Sequence, residues 1–219
     1  MERSLTRSAF LTRLYGWMAL GLAVTFGFAW VTARYHPPFL YQPLALLLLT
    51  LTQVLVVVQF SRRLMQASFG SVVAMFLVYS ALNGVTMSAI FLFFSVGVIY
   101  LAFGAAAAAF LIMALFGILT RRDLSGLRGI LTGGLITLII LTLVGLLLGL
   151  DRLQLLVCVL GIALFLGLTA YDSQKLLQLH AAFPDAGHRI AVYGALQLYL
   201  DFINLFQFIL ILTGGRRRR

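Results

Sequence analysis

The sequence has little charge and almost no cysteine, and each shortage excludes a class of protein. Only 10% of its 219 residues are charged and 62% are hydrophobic, whereas about 45–50% apolar residues is usual in soluble domains. The composition therefore excludes a soluble globular domain and predicts an integral membrane protein. The lone Cys158 excludes an internal disulfide and fits no metal-ligand spacing, so we interpret it as a small core residue.

Charged residues are also absent from one long stretch. Between Leu64 and Thr120 there is no Asp, Glu, Lys or Arg, and two helical spans of about 20 residues would nearly fill that length. The apolar runs are continuous and lack the ten-residue alternation of a transmembrane barrel. We therefore predict an all-α integral membrane protein with a single domain over residues 1–219, a short basic segment at 1–13 and a basic tail at 214–219. Seven transmembrane helices are expected, at Leu14–Ala33, Pro43 to about Ser61, Ser71–Phe94, Gly97–Leu119, Gly129–Leu150, Leu153 to Lys175 or beyond, and Ile190–Thr213.

The basic residues indicate an orientation for these spans. With a cytoplasmic amino terminus, ten Lys and Arg residues before the tail lie on the cytoplasmic side and two, Arg34 and Arg152, on the other. This asymmetry is typical of the positive-inside rule. Residues 216–219 are all arginine and fall on the outer side after seven crossings, so the last segment either crosses fully or is re-entrant, which shielding by other helices would permit. We expect seven crossings.

The net charge of +10 does not indicate a nucleic-acid partner. The arginines are scattered singly and in pairs between apolar spans, where positive loops on one side of a membrane explain them better. The expected partner is the lipid bilayer, and the terminal arginines either touch anionic headgroups or form a solvated end. No nucleic acid and no organic cofactor is expected.

The last apolar segment contains a carboxylic acid near its middle. Asp201 at that depth costs about 2.5–3.5 kcal/mol on insertion scales, so it should face protein or water and is a functional candidate. Gln197, Asp201 and Asn204 are spaced by four and three residues, which places them on one face of a helix. This polar stripe makes the seventh helix the expected centre of the bundle.

A second acid, Asp172, lies in the preceding segment. The turn-forming residues 184–188, Pro-Asp-Ala-Gly-His, separate the two segments and favour an antiparallel hairpin. Folding the chain about Ala186 and Gly187 makes position 172 the mirror of position 201. Because both helices rise by about 1.5 Å per residue, the two carboxyl groups are expected at about the same depth.

Two interpretations of this pair remain open. Two carboxyl groups a few Å apart in a low-dielectric site tend to share one proton and titrate as a unit, which would make a proton-operated latch with Arg62 or Arg63 as its positive partner. Alternatively, Asp172 forms an ordinary helical ion pair with Lys175, Asp201 bonds to Asn204 or a tyrosine, and the two arginines anchor the membrane end of a helix.

Four segments carry a family resemblance. LTAYDSQKL (168–176) and GALQLYLDFINLFQFIL (194–210) closely resemble the paired signatures of the Bax inhibitor-1 family, and YSALNGVTMS (79–88) and FGILTRRDLSG (116–126) are similar to its middle motifs. The resemblance implies six helices wrapped around a central seventh and a pH-sensitive calcium leak in the bacterial inner membrane. It also implies that Asp172 and Asp201 are the proton-sensing pair and that Arg62 or Arg63 is the lock.

The sequence departs from this family at one position. Many bacterial relatives have an acidic residue about nine positions before the arginine, where TQVLVVVQFSRR has Gln53. Calcium favours carboxylate oxygens, so Gln53 should lower cation affinity, and calcium is expected to bind only transiently at Asp172 and Asp201. Gln53, Gln197 and Asn204 are the polar candidates for lining a pore.

Two other function classes fit parts of this sequence. Some bacterial members of the family modulate a membrane-anchored protease, so a regulatory membrane protein is the alternative to the leak channel. An intramembrane aspartyl protease also needs two facing aspartates, but the residues before Asp201, Tyr199 and Leu200, lack the glycine that lets a substrate backbone approach. We therefore expect no enzymatic activity and no catalytic residue.

Overall fold

The computed structural model describes residues 5–35, 37–63 and 67–214, and these form eight α-helices with three short 3-10 turns. No strand occurs in these three ranges. The helices are α1 (Arg7–Tyr35), α2 (Pro43–Arg63), α3 (Phe69–Met87), α4 (Ile90–Phe93), α5 (Val96–Leu119), α6 (Arg128–Leu148), α7 (Asp151–Ala182) and α8 (Gly187–Gly214).

The lengths and composition of the helices confirm a multi-pass membrane protein of about seven spans. Six stretches are long and apolar enough to cross a membrane, with α3 and the short α4 counted as one, and α2 contributes a shorter apolar stretch at Leu48–Phe60. The α8 span is the most buried of the six. In its most apolar stretch 61% of the residues are buried, against 11–39% in the corresponding stretches of the others. This is the property that the expected central position requires.

Local sequence explains several helix ends. The hydroxyl of Ser68 accepts a hydrogen bond from the Ser71 backbone N–H at 3.3 Å and caps α3. Gly149 follows α6 with φ of 63°, a left-handed conformation that favours glycine. A 3-10 turn at Pro184–Ala186 joins α7 to α8, so both arms of the predicted hairpin remain helical up to their connection.

The chain divides into two compact units. The first comprises Met1–Ser95 and Leu179–Tyr199, and in it α1 packs closely on α3. A Cβ added at Gly84 would lie 2.5 Å from the Thr25 carbonyl oxygen, and one at Gly21 would meet the Phe76 ring. Only glycine fits at these two crossings, because a larger side chain would push the helices apart.

The second unit comprises Val96–Gln178 and Leu200–Arg219. Here Gly117 of α5 lies directly against the backbone of Ala170 in α7. The rings of Phe103 and Phe110 in α5 lie edge-on to Phe202 of α8, with centroids 5.2 and 5.6 Å apart. These contacts pack α5 against α7 and against the second half of α8, the two helices that carry the acids. The expectation of one domain over residues 1–219 stays a prediction.

Candidate functional site

Both predicted aspartates lie on spanning helices in the second unit. Asp172 is on α7 and Asp201 on α8, and the side chains are 8% and 5% exposed. Their carboxyl groups are close enough to interact electrostatically. The hairpin thus brings together the two acids that the sequence paired.

The surroundings of Asp201 differ from those of an ordinary structural polar group. Its Oδ2 is buried and has no hydrogen-bond partner in the described part of the chain. The amide of Asn204 donates to the Leu200 carbonyl at 2.8 Å instead, and the hydroxyl of Tyr199 has other partners. The expected structural bonds from Asp201 to Asn204 or a tyrosine are therefore not made at Oδ2, and buried polar atoms left without a partner are uncommon in native proteins.

The surroundings of Asp172 include both a charge and a second unpartnered atom. Lys175, one turn along α7, interacts electrostatically with Asp172, while its Nζ lies 5.6 Å from the centre of the Tyr171 ring. The hydroxyl of Ser173 is buried without a hydrogen-bond partner among residues 5–35, 37–63 and 67–214. Asp172 thus interacts electrostatically with both Lys175 and Asp201.

The other polar candidates lie in different surroundings. Gln197 belongs to the first unit, where its Oε1 is buried without a hydrogen-bond partner among the described residues. Gln53 is partly buried, and its amide nitrogen donates to the Thr86 hydroxyl at 2.6 Å and to the Leu82 carbonyl at 3.2 Å. Gln53 therefore ties α2 to α3, a donor role that a carboxylate could not perform. Lining of a pore by Gln53, Gln197 or Asn204 stays a prediction.

The predicted lock residues fall at the end of α2. That helix ends at Arg63, but the side chains of Arg62 and Arg63 lie outside the part of the structure that is described. Their pairing with the aspartates stays a prediction.

Sequence reasoning missed a buried polar network in the first unit. The hydroxyl of Tyr199, which is fully buried, lies 2.6 Å from the hydroxyl of Thr25 and accepts from the Asn83 amide at 2.8 Å. The Thr25 hydroxyl in turn reaches the carbonyls of Gly21 and Ser80 at 2.9 and 3.0 Å. Thr25 is an isolated polar residue in an apolar run, and Asn83 lies in a span that is otherwise rich in apolar residues; these positions are the signal that the sequence offers.

A second missed feature fixes the loop between α5 and α6. The side-chain amide of Gln174 accepts from the Leu124 backbone N–H and donates to the Arg122 carbonyl, both at 2.8 Å. Within this exposed loop the backbone N–H and hydroxyl of Ser125 donate to Asp123 at 2.9 and 2.8 Å. These hydrogen bonds hold the pKa of Asp123 below its ordinary value, since they stabilise the charged form.

The donor set at the two aspartates fits a passing cation better than a resident one. Among the described residues there is no group of three or more His, Cys, Asp and Glu side chains that could hold a metal ion. Calcium takes six to eight oxygen ligands in protein sites, and two carboxyl groups supply only a part of that shell. Any calcium at Asp172 and Asp201 would keep much of its water.

Comparison with known proteins gives a consistent result over almost the whole chain. The family profile described as "Inhibitor of apoptosis-promoting Bax1" matches residues 7–218. The inner membrane protein YbhL of Escherichia coli K12 is 36% identical over 215 residues, which cover 95% of this chain and 92% of that protein.

Two further relatives match to a similar extent. A protein of Borreliella burgdorferi, described only as uncharacterised, is 36% identical over 222 residues, covering 99% of this chain and 96% of its own. One from Deinococcus radiodurans, described in the same way, is 37% identical over 212 residues, covering 94% and 90%. All three align along essentially their full length.

Proposed function

The chain belongs to the Bax inhibitor-1 family and is a multi-pass bacterial inner membrane protein. From that premise we propose that it is a proton-gated cation leak with calcium as its permeant ion. This is a family of membrane proteins and not a known family of enzymes. The observation that carries the proposal is the buried Oδ2 of Asp201, which has no hydrogen-bond partner in the described residues. A carboxyl group in this position on a spanning helix is a functional feature by default, because its burial is costly.

The proposed gate is the proton shared by Asp172 and Asp201. Their electrostatic interaction and low exposure support a pair that holds one proton near neutral pH, since two adjacent buried carboxyl groups cannot easily both ionise. The pair then keeps one negative charge, which attracts Arg62 or Arg63 and closes the cytoplasmic end. A second proton in acid neutralises the pair and releases the arginine.

The proposed permeant ion follows from the same carboxylates. Calcium is a hard cation that favours oxygen ligands, and Asp172 and Asp201 are both buried acids on spanning helices. Gln53 donates both of its described hydrogen bonds to α3, so it adds no charge to an ion path. Selectivity therefore rests on the aspartate pair, and we expect modest affinity.

Calcium flux into proteoliposomes tests the proposal. We expect the flux to rise about tenfold or more between neutral and mildly acidic pH, the change that about 1.4 kcal/mol of lost electrostatic attraction produces. Asp172→Asn and Asp201→Asn should each remove most of this pH response. The exposed loop residue Asp123 provides the matched control, because Asp123→Asn removes the same charge away from the site.

The outcomes test the proposed gate and the proposed permeant ion independently. If both aspartate variants keep the response of the unaltered protein, the shared-proton gate is wrong. If the variants lose the response but the flux is equal for calcium and sodium, the gate stands and the choice of calcium is wrong.

A regulatory role towards a membrane-anchored protease is the second proposal. The feature that favours it is an exposed basic surface formed by Arg121 and Arg122 in the α5–α6 loop and Arg128 at the start of α6. Gln174 fixes this loop by two hydrogen bonds. A basic surface held in one conformation suits an acidic protein segment, because less ordering is needed on binding. Copurification from native membranes, repeated with these three arginines changed to glutamine, tests it, and unchanged recovery of a protease would exclude the loop as its docking site.

A further inference from the structure

A buried histidine in the first unit contacts the first turns of α1 and the residue Leu5 that precedes this helix. His180, near the end of α7, is 7% exposed and stacks on Phe10 with ring centroids 4.3 Å apart and an interplanar angle of 2°. Its Nε2 lies 3.0 Å from the Leu5 carbonyl oxygen. A carbonyl oxygen can only accept, so Nε2 carries the proton of the neutral ring and Nδ1 bears the lone pair. The structure thus requires one tautomer of His180.

The second nitrogen of His180 lies beside the start of α8. Nδ1 is buried and makes no hydrogen bond in the described part of the chain. A Cβ added at Gly187 would lie 3.3 Å from this atom, and Gly187 is the first residue of α8. The positive end of a helix dipole disfavours a further positive charge there. Protonation at Nδ1 would therefore weaken the contacts of His180.

A second histidine contacts α1 directly. The Nδ1 of His188, in the first turn of α8, is hydrogen-bonded to Nη1 of Arg13. Because a guanidinium can only donate, His188 must accept, and only a neutral imidazole has the lone pair to do so. A proton on Nδ1 would remove this bond and place two cations face to face. The His188 ring also lies edge-on to Phe69, with centroids 6.3 Å apart.

The charged residues on the helix starts and the turn that carry these contacts are mostly positive. On α1 they are Arg7 and Arg13, and on α8 the neighbour is Arg189, whose Nη1 donates to the Ala67 carbonyl at 3.4 Å. The α3 side contributes the uncharged Phe69. Asp185, in the turn between α7 and α8, is exposed. Protonation of either histidine thus adds charge to a region that is already basic.

We propose that His180 and His188 form a proton-released clamp that holds the start of α1 against the α7–α8 hairpin. Histidine changes its charge between about pH 5 and 8, so the clamp is closed when both rings are neutral. Acid breaks the Arg13–His188 bond and disfavours the His180–Leu5 contact, which frees residues 5–13. The clamp is a second pH-sensitive element, separate from Asp172 and Asp201, and it is independent of ion flux.

Hydrogen exchange of the protein in lipid nanodiscs tests this clamp. After correction for the intrinsic pH dependence of exchange, residues 5–13 should lose protection about tenfold between neutral and mildly acidic pH, as expected when a hydrogen bond to a charged group is lost. The variant His180→Gln with His188→Asn keeps an amide donor near the former Nε2 and an amide acceptor near the former Nδ1. Its protection should not change with pH.

The control carries Asp172→Asn and Asp201→Asn and should show the same loss of protection as the unaltered chain. Protection that is independent of pH in the unaltered chain overturns the proposal, as does an undiminished loss in the histidine variant. Disappearance of the loss in the aspartate control also overturns it, because the release would then follow from the other acids. Should the double histidine variant not fold, His188→Asn alone decides, since this half-buried position tolerates an amide. A loss of protection in acid equal to that of the unaltered chain overturns the clamp. A smaller loss of protection supports it.

Discussion

Tyr199 and Asp201 are two residues apart on α8, yet the polar atom of one has hydrogen-bond partners and an oxygen of the other has none in the described residues. The Tyr199 hydroxyl has partners on both α1 and α3, Thr25 at 2.6 Å and Asn83 at 2.8 Å. The Oδ2 of Asp201 is equally buried and has no hydrogen-bond partner in the ranges described. Residues at i and i+2 of a helix do not face the same side, so α8 carries a satisfied hydroxyl on one face and an acid with one unpartnered oxygen on another.

The contrast separates a structural role from a functional one. A buried hydroxyl with two partners stabilises the packing of helices, whereas a buried acid without a partner costs stability and persists where something other than stability maintains it. A related contrast occurs on α7. Gln174 makes two hydrogen bonds to the loop after α5, and Asp172, two residues earlier, interacts electrostatically with Lys175 and with the acid on α8.

The largest difference in stability is expected between two variants of α8, each of which removes one of these polar groups. Tyr199→Phe leaves Thr25 and Asn83 without their shared partner. It should lower the free energy of unfolding by about 1–2 kcal/mol, since hydrogen bonds between membrane helices contribute about 0.6 kcal/mol on average and up to about 1.7. Asp201→Asn should leave stability unchanged or raise it, because it removes a buried acid. Unfolding by SDS in mixed micelles measures both.

The distinction between the two sides of α8 would be lost if the two variants destabilised the protein equally. It would be reversed if Asp201→Asn were the more harmful of the two. The separate flux assay then shows whether the stabilised variant has also lost its response to acid.

A smaller effect is expected from the corresponding pair on α7. Gln174→Ala removes both hydrogen bonds to the loop of Arg122 and Leu124 and should cost about 0.5–1.5 kcal/mol per bond at most, less where water replaces the amide. Gln178→Ala, one turn later at an exposed position, is the matched control. Proteolysis of the α5–α6 loop should accelerate in the first variant only, and equal rates would show that Gln174 does not fix the loop.

The smallest expected effect concerns an acid that is both exposed and satisfied. The backbone and hydroxyl hydrogen bonds from Ser125 lower the pKa of Asp123. They favour the ionised form, so their contribution is present above the ordinary aspartate pKa and is lost as the pH falls through the lowered value. Ser125→Ala should raise the pKa of Asp123 part of the way back, because the backbone bond remains. A carboxyl NMR titration measures this, and an unchanged pKa would contradict the role of the hydroxyl.

Much of the fold followed from the sequence because membrane spans leave a strong local signal. The apolar runs and the turn formers at Pro184 and Gly187 predicted the helices and the hairpin, and the structure has α7 end at Ala182 and α8 begin at Gly187. The pairing of Asp172 with Asp201 needed only the helical rise and the centre of that turn. The two residues do lie in one compact unit.

The partners of polar groups could not be predicted in the same way. Tyr199 meets Thr25 across 174 positions of sequence and Asn83 across 116, and His188 meets Arg13 across 175. The hydrogen bonds of Gln53 to Leu82 and Thr86, which tie α2 to α3, leave no signal in the sequence. Each of these contacts depends on which helix faces which.

The sequence by itself determined that the chain crosses a membrane in about seven helices and that two acids share a hairpin, because hydrophobicity and helical rise are local properties. Only the tertiary structure decided which buried polar groups are satisfied, since this depends on the rotation and neighbours of each helix. Tyr199 and Asp201 have nearly the same sequence surroundings, and the difference between them arises from the residues that each side chain contacts.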